Sequence, residues 1–287
     1  MHELTYEILI IARRYSMYIA NNNIIQKGFS GFSLKIIALV LMTMDHMHEF
    51  LASTGIPIWF NWIGRLSAPL FFFTMAEGFF YTGNRKTYVK RLYLFSIVMS
   101  LGKFISWKIS VDDPSYFPVS NNIFETFFLI ALNILLIEYL RDENKDLYRK
   151  IYIIFLAIMF EVVLPISTYS IFSKNIAGII ISFLPCPLLC EGSVSFVALG
   201  IIFFYLRNDR KKMMIVYAIF SVSFFPFASF SFKNIFYGYN QWIMIFAIPL
   251  MMLYNGKKGR GLKYLFYFYY PIHIFILFLL GGITHIN

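Results

Sequence analysis

Charge is scarce in this chain of 287 residues. Only 14% of its residues are Asp, Glu, Lys or Arg, where a soluble domain carries about a quarter. Acidic residues are the scarcer sign, 15 against 25 basic, leaving a net charge of +10. There are 2 cysteines and 5 histidines. Two cysteines make no disulfide framework. Cys186 and Cys190 lie in Pro-Cys-Pro-Leu-Leu-Cys with no His or Asp at a metal-ligand spacing, so they read as small buried apolar residues. No metal is expected. Alternating apolar and polar stretches are missing, which excludes a membrane β-barrel. No secretory signal peptide is expected, because Glu3 and Glu7 precede no apolar core with a small-residue cleavage site.

What is abundant is apolar surface. Hydrophobic residues make up 59% and aromatic residues 20% of the chain, and mean hydropathy is +0.66. Such a chain is not a soluble enzyme, a disordered segment or a DNA-binding domain. It is an all-α, polytopic integral membrane bundle. The basic residues sit mostly in short connections between apolar runs, so they serve topology and contact anionic lipid rather than nucleic acid.

Hydropathy predicts spans at Ser33–Ala52, Asn61–Tyr81, Leu92–Ile109, Ile123–Leu140 and Lys150–Pro165. Further spans follow at Ser193–Leu206, Met213–Ser229, Asn240–Tyr254 and Lys263–Gly282. Ile176–Cys190 is short and broken by Pro185 and Pro187, and reads as re-entrant or half-spanning. That segment decides where the cluster Arg207–Lys212 lands. If it crossed fully, those charges would lie outside, against the positive-inside rule. The expectation is therefore about nine spans, with the N-terminus cytoplasmic and the C-terminus outside. Leu4–Ala20, with Arg13 and Arg14, reads as an interfacial helix. Residues 1–32 are thus a lead-in and 33–287 a single membrane domain.

Ionisable residues inside spans are expensive and are usually functional or bundle-facing. The first span carries Met42-Thr-Met-Asp45-His46-Met-His48-Glu49. Neighbours on a helix point about 100° apart, so Asp45 shares a face with His48 and Glu49 while His46 faces another helix. His46 lies ~20 Å along the helix from Ser33. Arg65 in the second span reaches a similar depth and offers a fork for the Asp45 carboxylate. His273, in Tyr269-Tyr270-Pro271-Ile-His273, lies ~15 Å past Lys263, close to the His46 level. These four residues are the candidate catalytic set. Glu77, Tyr270, Asn133 and Glu161 are candidates for substrate contacts or structural polar pairs.

Two basic connections can meet an anion: Gly83-Asn-Arg85-Lys86-Thr-Tyr-Val-Lys-Arg91 and Asn255-Gly-Lys257-Lys258-Gly259. Neither is a P-loop, since the Gly-Lys-Ser/Thr ending is absent. Glycine backbone and lysines can still wrap a phosphate.

Leu34-Lys-Ile-Ile-Ala-Leu with Asp45-His46 resembles the opening of the TraX family of integral membrane proteins. So does Gly64-Arg-Leu-Ser-Ala-Pro-Leu-Phe-Phe-Phe with Glu77-Gly-Phe and Thr82-Gly-Asn-Arg-Lys-Thr-Tyr88. Leu253-Tyr-Asn-Gly-Lys-Lys-Gly259 and Tyr270-Pro-Ile-His273 resemble its end. The likeness runs from Ser33 to about Leu280, with an expanded middle from Val163 to Glu191. It implies a bacterial inner-membrane acyltransferase linked to pilin acetylation in conjugation. Acetyl-CoA would be the cytoplasmic co-substrate, and a pilin-like peptide or a glycan the acceptor. His46 matches the functional histidine. Arg85, Lys86, Arg91, Asn255, Lys257 and Lys258 would stand where the CoA phosphates arrive. The alternative class is a transporter or a non-enzymatic assembly factor of a conjugation or secretion apparatus, since ionisable groups and a broken helix suit those as well.

Overall fold

The computed structural model describes residues 28–227 and 230–285. The expected interfacial helix at Leu4–Ala20 lies outside them. Regular structure among the described residues is helical, with one isolated bridge between Phe29 and Tyr254. The helices are α1 (Gly31–Leu51), α2 (Trp59–Gly64), α3 (Ser67–Phe80), α4 (Arg85–Asp112), α5 (Ile123–Arg141) and α6 (Leu147–Ile158). They continue with α7 (Leu164–Ile171), α8 (Lys174–Ile181), α9 (Ser193–Leu206), α10 (Arg210–Val222), α11 (Ile248–Met252) and α12 (Lys263–His285).

Local chemistry sets several of these starts. Ser30, Asn84, Asn122 and Asp209 each cap a helix by accepting a backbone N–H three residues on. Such a cap satisfies one of the donors that a helix start leaves free.

Five stretches are long and apolar enough to cross a membrane: Gly31–Thr54, Arg85–Asp112, Ile123–Arg141, Leu147–Ile171 and Tyr264–Thr284. The other expected spans are shorter or broken. Asn61–Tyr81 is two helices, α2 and α3, meeting at Arg65 and Leu66. At 1.5 Å per residue, α9 is ~21 Å long, against ~30 Å for a hydrocarbon core. The stretch 240–252 opens as a 3-10 helix before α11. The expected Ile176–Cys190 element is helical only to Ile181 and then turns. Pro185 and Pro187 lack the N–H that continues a helix.

The core centres on α5, which packs against α4 and α9, while α9 also packs on α3. Phe72, Phe73, Leu129, Ile130 and Phe203 are essentially sealed from solvent there. Two of the long helices, α1 and α12, run parallel. Phe32 meets Phe266 near their starts, and the Phe50 carbonyl meets Gly281 near their ends. The basic loops gather at one end of the bundle. Arg85 and Arg207 both stack on Phe204, Arg141 stacks on Tyr205, and Arg210 donates to the Tyr254 carbonyl.

Candidate functional site

The α1–α12 seam is held by two side-chain pairs one helical turn apart. Thr43 Oγ1 and Tyr269 Oη are 2.8 Å apart, and His46 Nδ1 is 2.8 Å from His273 Nε2. Residues three and four apart share a helix face, so both pairs fall on one seam. His46 and His273 are buried, with rings stacked at 5.1 Å.

The hydrogen bonds fix both tautomers. His273 Nδ1 lies 2.8 Å from the Tyr269 carbonyl, which only accepts, so Nδ1 carries the proton. His273 Nε2 is then an acceptor, and His46 Nδ1–H donates to it. The lone pair of His46 is left on Nε2, where the Asn121 amide donates across 3.3 Å. The Asn121 amide also bonds Glu49, and its Oδ1 accepts from the Ser120 hydroxyl. A basic nitrogen is thus oriented by a second histidine and a backbone carbonyl behind it, the arrangement that holds a general base in one tautomer.

A cavity of about 400 Å³ opens beside this nitrogen. His46, Asp45, Arg65 and Tyr270 line it, joined by Asn121, Glu191 and Gln241. His273 stands behind His46. Arg65 pairs with Asp45 at 3.9 Å and donates to Gln241 Oε1 at 3.4 Å. Among the described residues its buried Nε finds no hydrogen-bond partner. Asp45 Oδ1 also accepts from Asn61 at 2.8 Å, and Asn240 donates to Asn61. A Cβ at Gly64 would lie 2.7 Å from Asp45 Oδ1, so only glycine lets α2 come this close to the carboxylate. On the opposite wall the Tyr270 hydroxyl accepts from Ile123 N–H and donates to Glu191 at 3.2 Å. Gly192, next to Glu191, has φ +77°, a backbone that favours glycine.

The structure therefore brings His46, Asp45, Arg65, His273 and Tyr270 together. It separates the remaining candidates from them. Asn133 bonds the Glu161 carboxylate at 3.1 and 3.2 Å, between α5 and the π turn Met159–Val163. Glu77 bonds the Tyr254 hydroxyl at the basic end. There Arg85 is committed to Glu138 at 2.6 Å, Arg91 bonds Tyr267, and Asn255 donates to the Gly28 carbonyl. Lys86, Lys257 and Lys258 are exposed. The backbone carbonyls of Lys257 and Lys258 accept from Gly31 and Phe32, which ties that loop to the start of α1.

Sequence reasoning missed Asn61, Asn121, Glu191, Asn240 and Gln241. Glu191 carried a signal, an acid directly after an apolar run ending in Pro-Cys-Pro-Leu-Leu-Cys. The amides carried none: Asn121 sits in a connection and reads as loop, and Asn61, Asn240 and Gln241 open expected spans, where a polar residue at the interface is ordinary. No group of three or more His, Cys, Asp or Glu residues suited to a metal ion occurs among the described residues.

Residues 30–281 match the family described as TraX protein. The probable fimbrial assembly protein FimC, serogroup H1, of Dichelobacter nodosus is 28% identical over 264 residues, covering 87% of this chain and 94% of that protein. No solved structure matches.

Proposed function

The chain belongs to the TraX family, and on that footing we propose that it is an integral membrane acyltransferase. In this reading an acetyl group passes from cytoplasmic acetyl-CoA to an amine or hydroxyl of a membrane-associated or exported acceptor, a pilin-like peptide or a glycan. The observation that carries it is the His46 Nε2 lone pair, oriented by His273, on a residue that lines a cavity together with Asp45, Arg65 and Glu191. Histidine is the side chain whose ordinary basicity suits proton removal near neutral pH.

The chemistry divides among His46, Asn121, Arg65 and Asp45. The acceptor nitrogen or oxygen attacks the thioester carbonyl carbon, and its proton passes to His46 Nε2. Asn121 yields its place on that nitrogen to the acceptor. The oxyanion of the tetrahedral intermediate takes a hydrogen bond from the guanidinium of Arg65, which lines the cavity. The C–S bond then breaks, and the leaving thiolate takes the proton back from His46. Asp45 holds Arg65 in place and does not touch His46.

The same reading has the chain cross the membrane about nine times, with 176–190 re-entrant, the N-terminus cytoplasmic and the C-terminus outside. The gathering of Arg85, Arg141, Arg207 and Arg210 at one end of the bundle supports that orientation. The exposed Lys86, Lys257 and Lys258 at that end suit the phosphates of the donor.

The name of the Dichelobacter relative favours a second reading, a non-enzymatic factor in pilus assembly. Radiolabelled acetyl-CoA and a pilin peptide, supplied to the purified protein in nanodiscs, separate the two. Acyl transfer predicts label in the peptide, lost in His46→Ala, and thermal stabilisation by CoA. Pilus assembly that proceeds in His46→Ala cells, with no label transferred by the parent protein, would overturn the enzymatic reading.

A further inference from the structure

A second cavity, of about 550 Å³, lies between α4, α8 and the segment that leads into α5. That segment is a common wall. Asn121 and Ile123 line the His46 cavity on one side, and Val119, Ser120 and Glu125 line this one on the other. Its body is apolar and aromatic, with Phe104, Trp107, Ile181 and Leu189. Gly178 lets α8 press on the Phe104 ring and so closes the cavity on one side.

Two cations enter this apolar space, Lys103 from α4 and Lys174 from the first position of α8. Neither takes part in an ion pair among the described residues. The lining carboxylate, Glu125, is committed elsewhere. Its Oε1 accepts from the Cys186 N–H at 3.1 Å, and Asn122 donates to Oε2 at 3.4 Å. A third lysine, Lys108, stands over the Phe104 ring at 6.0 Å. Lys103 also feels the carboxylates of Glu125 and Glu191, and the cavity lining as a whole holds two lysines against one carboxylate, so its balance is positive.

Depth narrows the ligand further. α4 has 28 residues, so it is ~42 Å long, more than the ~30 Å hydrocarbon core. With the Arg85–Arg91 turns in one interface, Lys103 lies ~18 Å and Trp107 ~24 Å beyond Arg91. Together with residues 118–120 of the α4–α5 connection, that places the cavity toward the opposite interface, where tryptophan is enriched and a lysine side chain snorkels to the headgroups.

We infer that this cavity binds the phosphate headgroup of an anionic lipid, with the phosphate between Lys103 and Lys174 and the glycerol and first methylenes against Phe104 and Trp107. The site does not depend on the acyl-transfer reading. A free phosphate offers the same charge but leaves the aromatic wall unused, and the test separates the two.

The test is native mass spectrometry of the full chain, released from nanodiscs containing equal phosphatidylglycerol and phosphatidylcholine. The expected result is at least one phosphatidylglycerol retained about tenfold over phosphatidylcholine. Lys103→Gln/Lys174→Gln should retain one such lipid fewer, while Lys103→Arg/Lys174→Arg should keep it. Lys174→Gln alone, at an exposed helix start, gives the same comparison if the double variant does not fold. Unchanged lipid retention in the Gln variants overturns the proposal. So does displacement of that lipid by micromolar glycerol phosphate, which would assign the site to soluble phosphate.

Discussion

Gly64 and Asp45 approach so closely that no side chain fits at position 64. This contact lets α2 deliver Asn61 to the Asp45 carboxylate and sets the pair with Arg65. Gly64→Ala should cost about 1–3 kcal/mol, the usual range for overpacking. A thermal-unfolding midpoint in detergent equal to that of the parent protein would contradict the contact.

The two histidines should act as a unit. His46→Ala should lower acetyl transfer at least ~100-fold, the low end for general acid–base catalysis. His273→Ala should cost less, because His46 keeps its own lone pair while losing orientation. The double variant should be no slower than His46→Ala alone, since groups acting together are not additive. Rates of peptide acetylation by the three variants, at matched insertion, check this.

Asp45→Asn should leave Arg65 without its carboxylate and weaken the bond from Asn61. A partly buried group that loses its charged partner costs about 1–3 kcal/mol. We expect a lower unfolding midpoint together with reduced transfer, while CoA binding persists. Normal stability with normal transfer would leave the Asp45–Arg65 pair without a role.

At the basic end, Arg85 and Glu138 form a partly exposed pair. A double-mutant cycle with Arg85→Gln and Glu138→Gln should give a coupling of about 1 kcal/mol or less, as such pairs do. Lys257→Gln and Lys258→Gln, whose side chains are exposed, should instead raise the apparent KM for acetyl-CoA with little change in kcat. That is how a loss of uniform binding presents.

Orientation is checked with thiol labelling. Asn144→Cys and Asn208→Cys should both resist a membrane-impermeant reagent in intact cells, because both lie in basic connections. Labelling of Asn208→Cys would show that 176–190 crosses fully.

The long apolar helices were legible because composition and length alone specify them; α1, α4, α5 and α12 fall within a few residues of the expected spans, and Arg85–Leu92 adds two turns to α4. The His46, Asp45, Arg65 and His273 grouping was legible because an ionisable residue in a span has few places to go. The break at Arg65–Leu66 was not, since a single apolar run does not record a change of helix axis. Asn121 was equally hidden. Its importance comes from a fold that lays the connection before α5 over α1, which no local pattern reports. Arg85, expected in a connection, instead opens α4, and Glu138, its partner, sits 53 positions away in another helix.

The parallel pairing of α1 with α12 also has a bearing on synthesis. His46 leaves the ribosome 227 residues ahead of His273, and every other described helix is made in between. A chain halted before α12 has neither the Thr43–Tyr269 contact nor the partner that sets the His46 tautomer. The last described helix to be made therefore completes the seam: the His46 ring has its α12 partner only after the rest of the bundle exists.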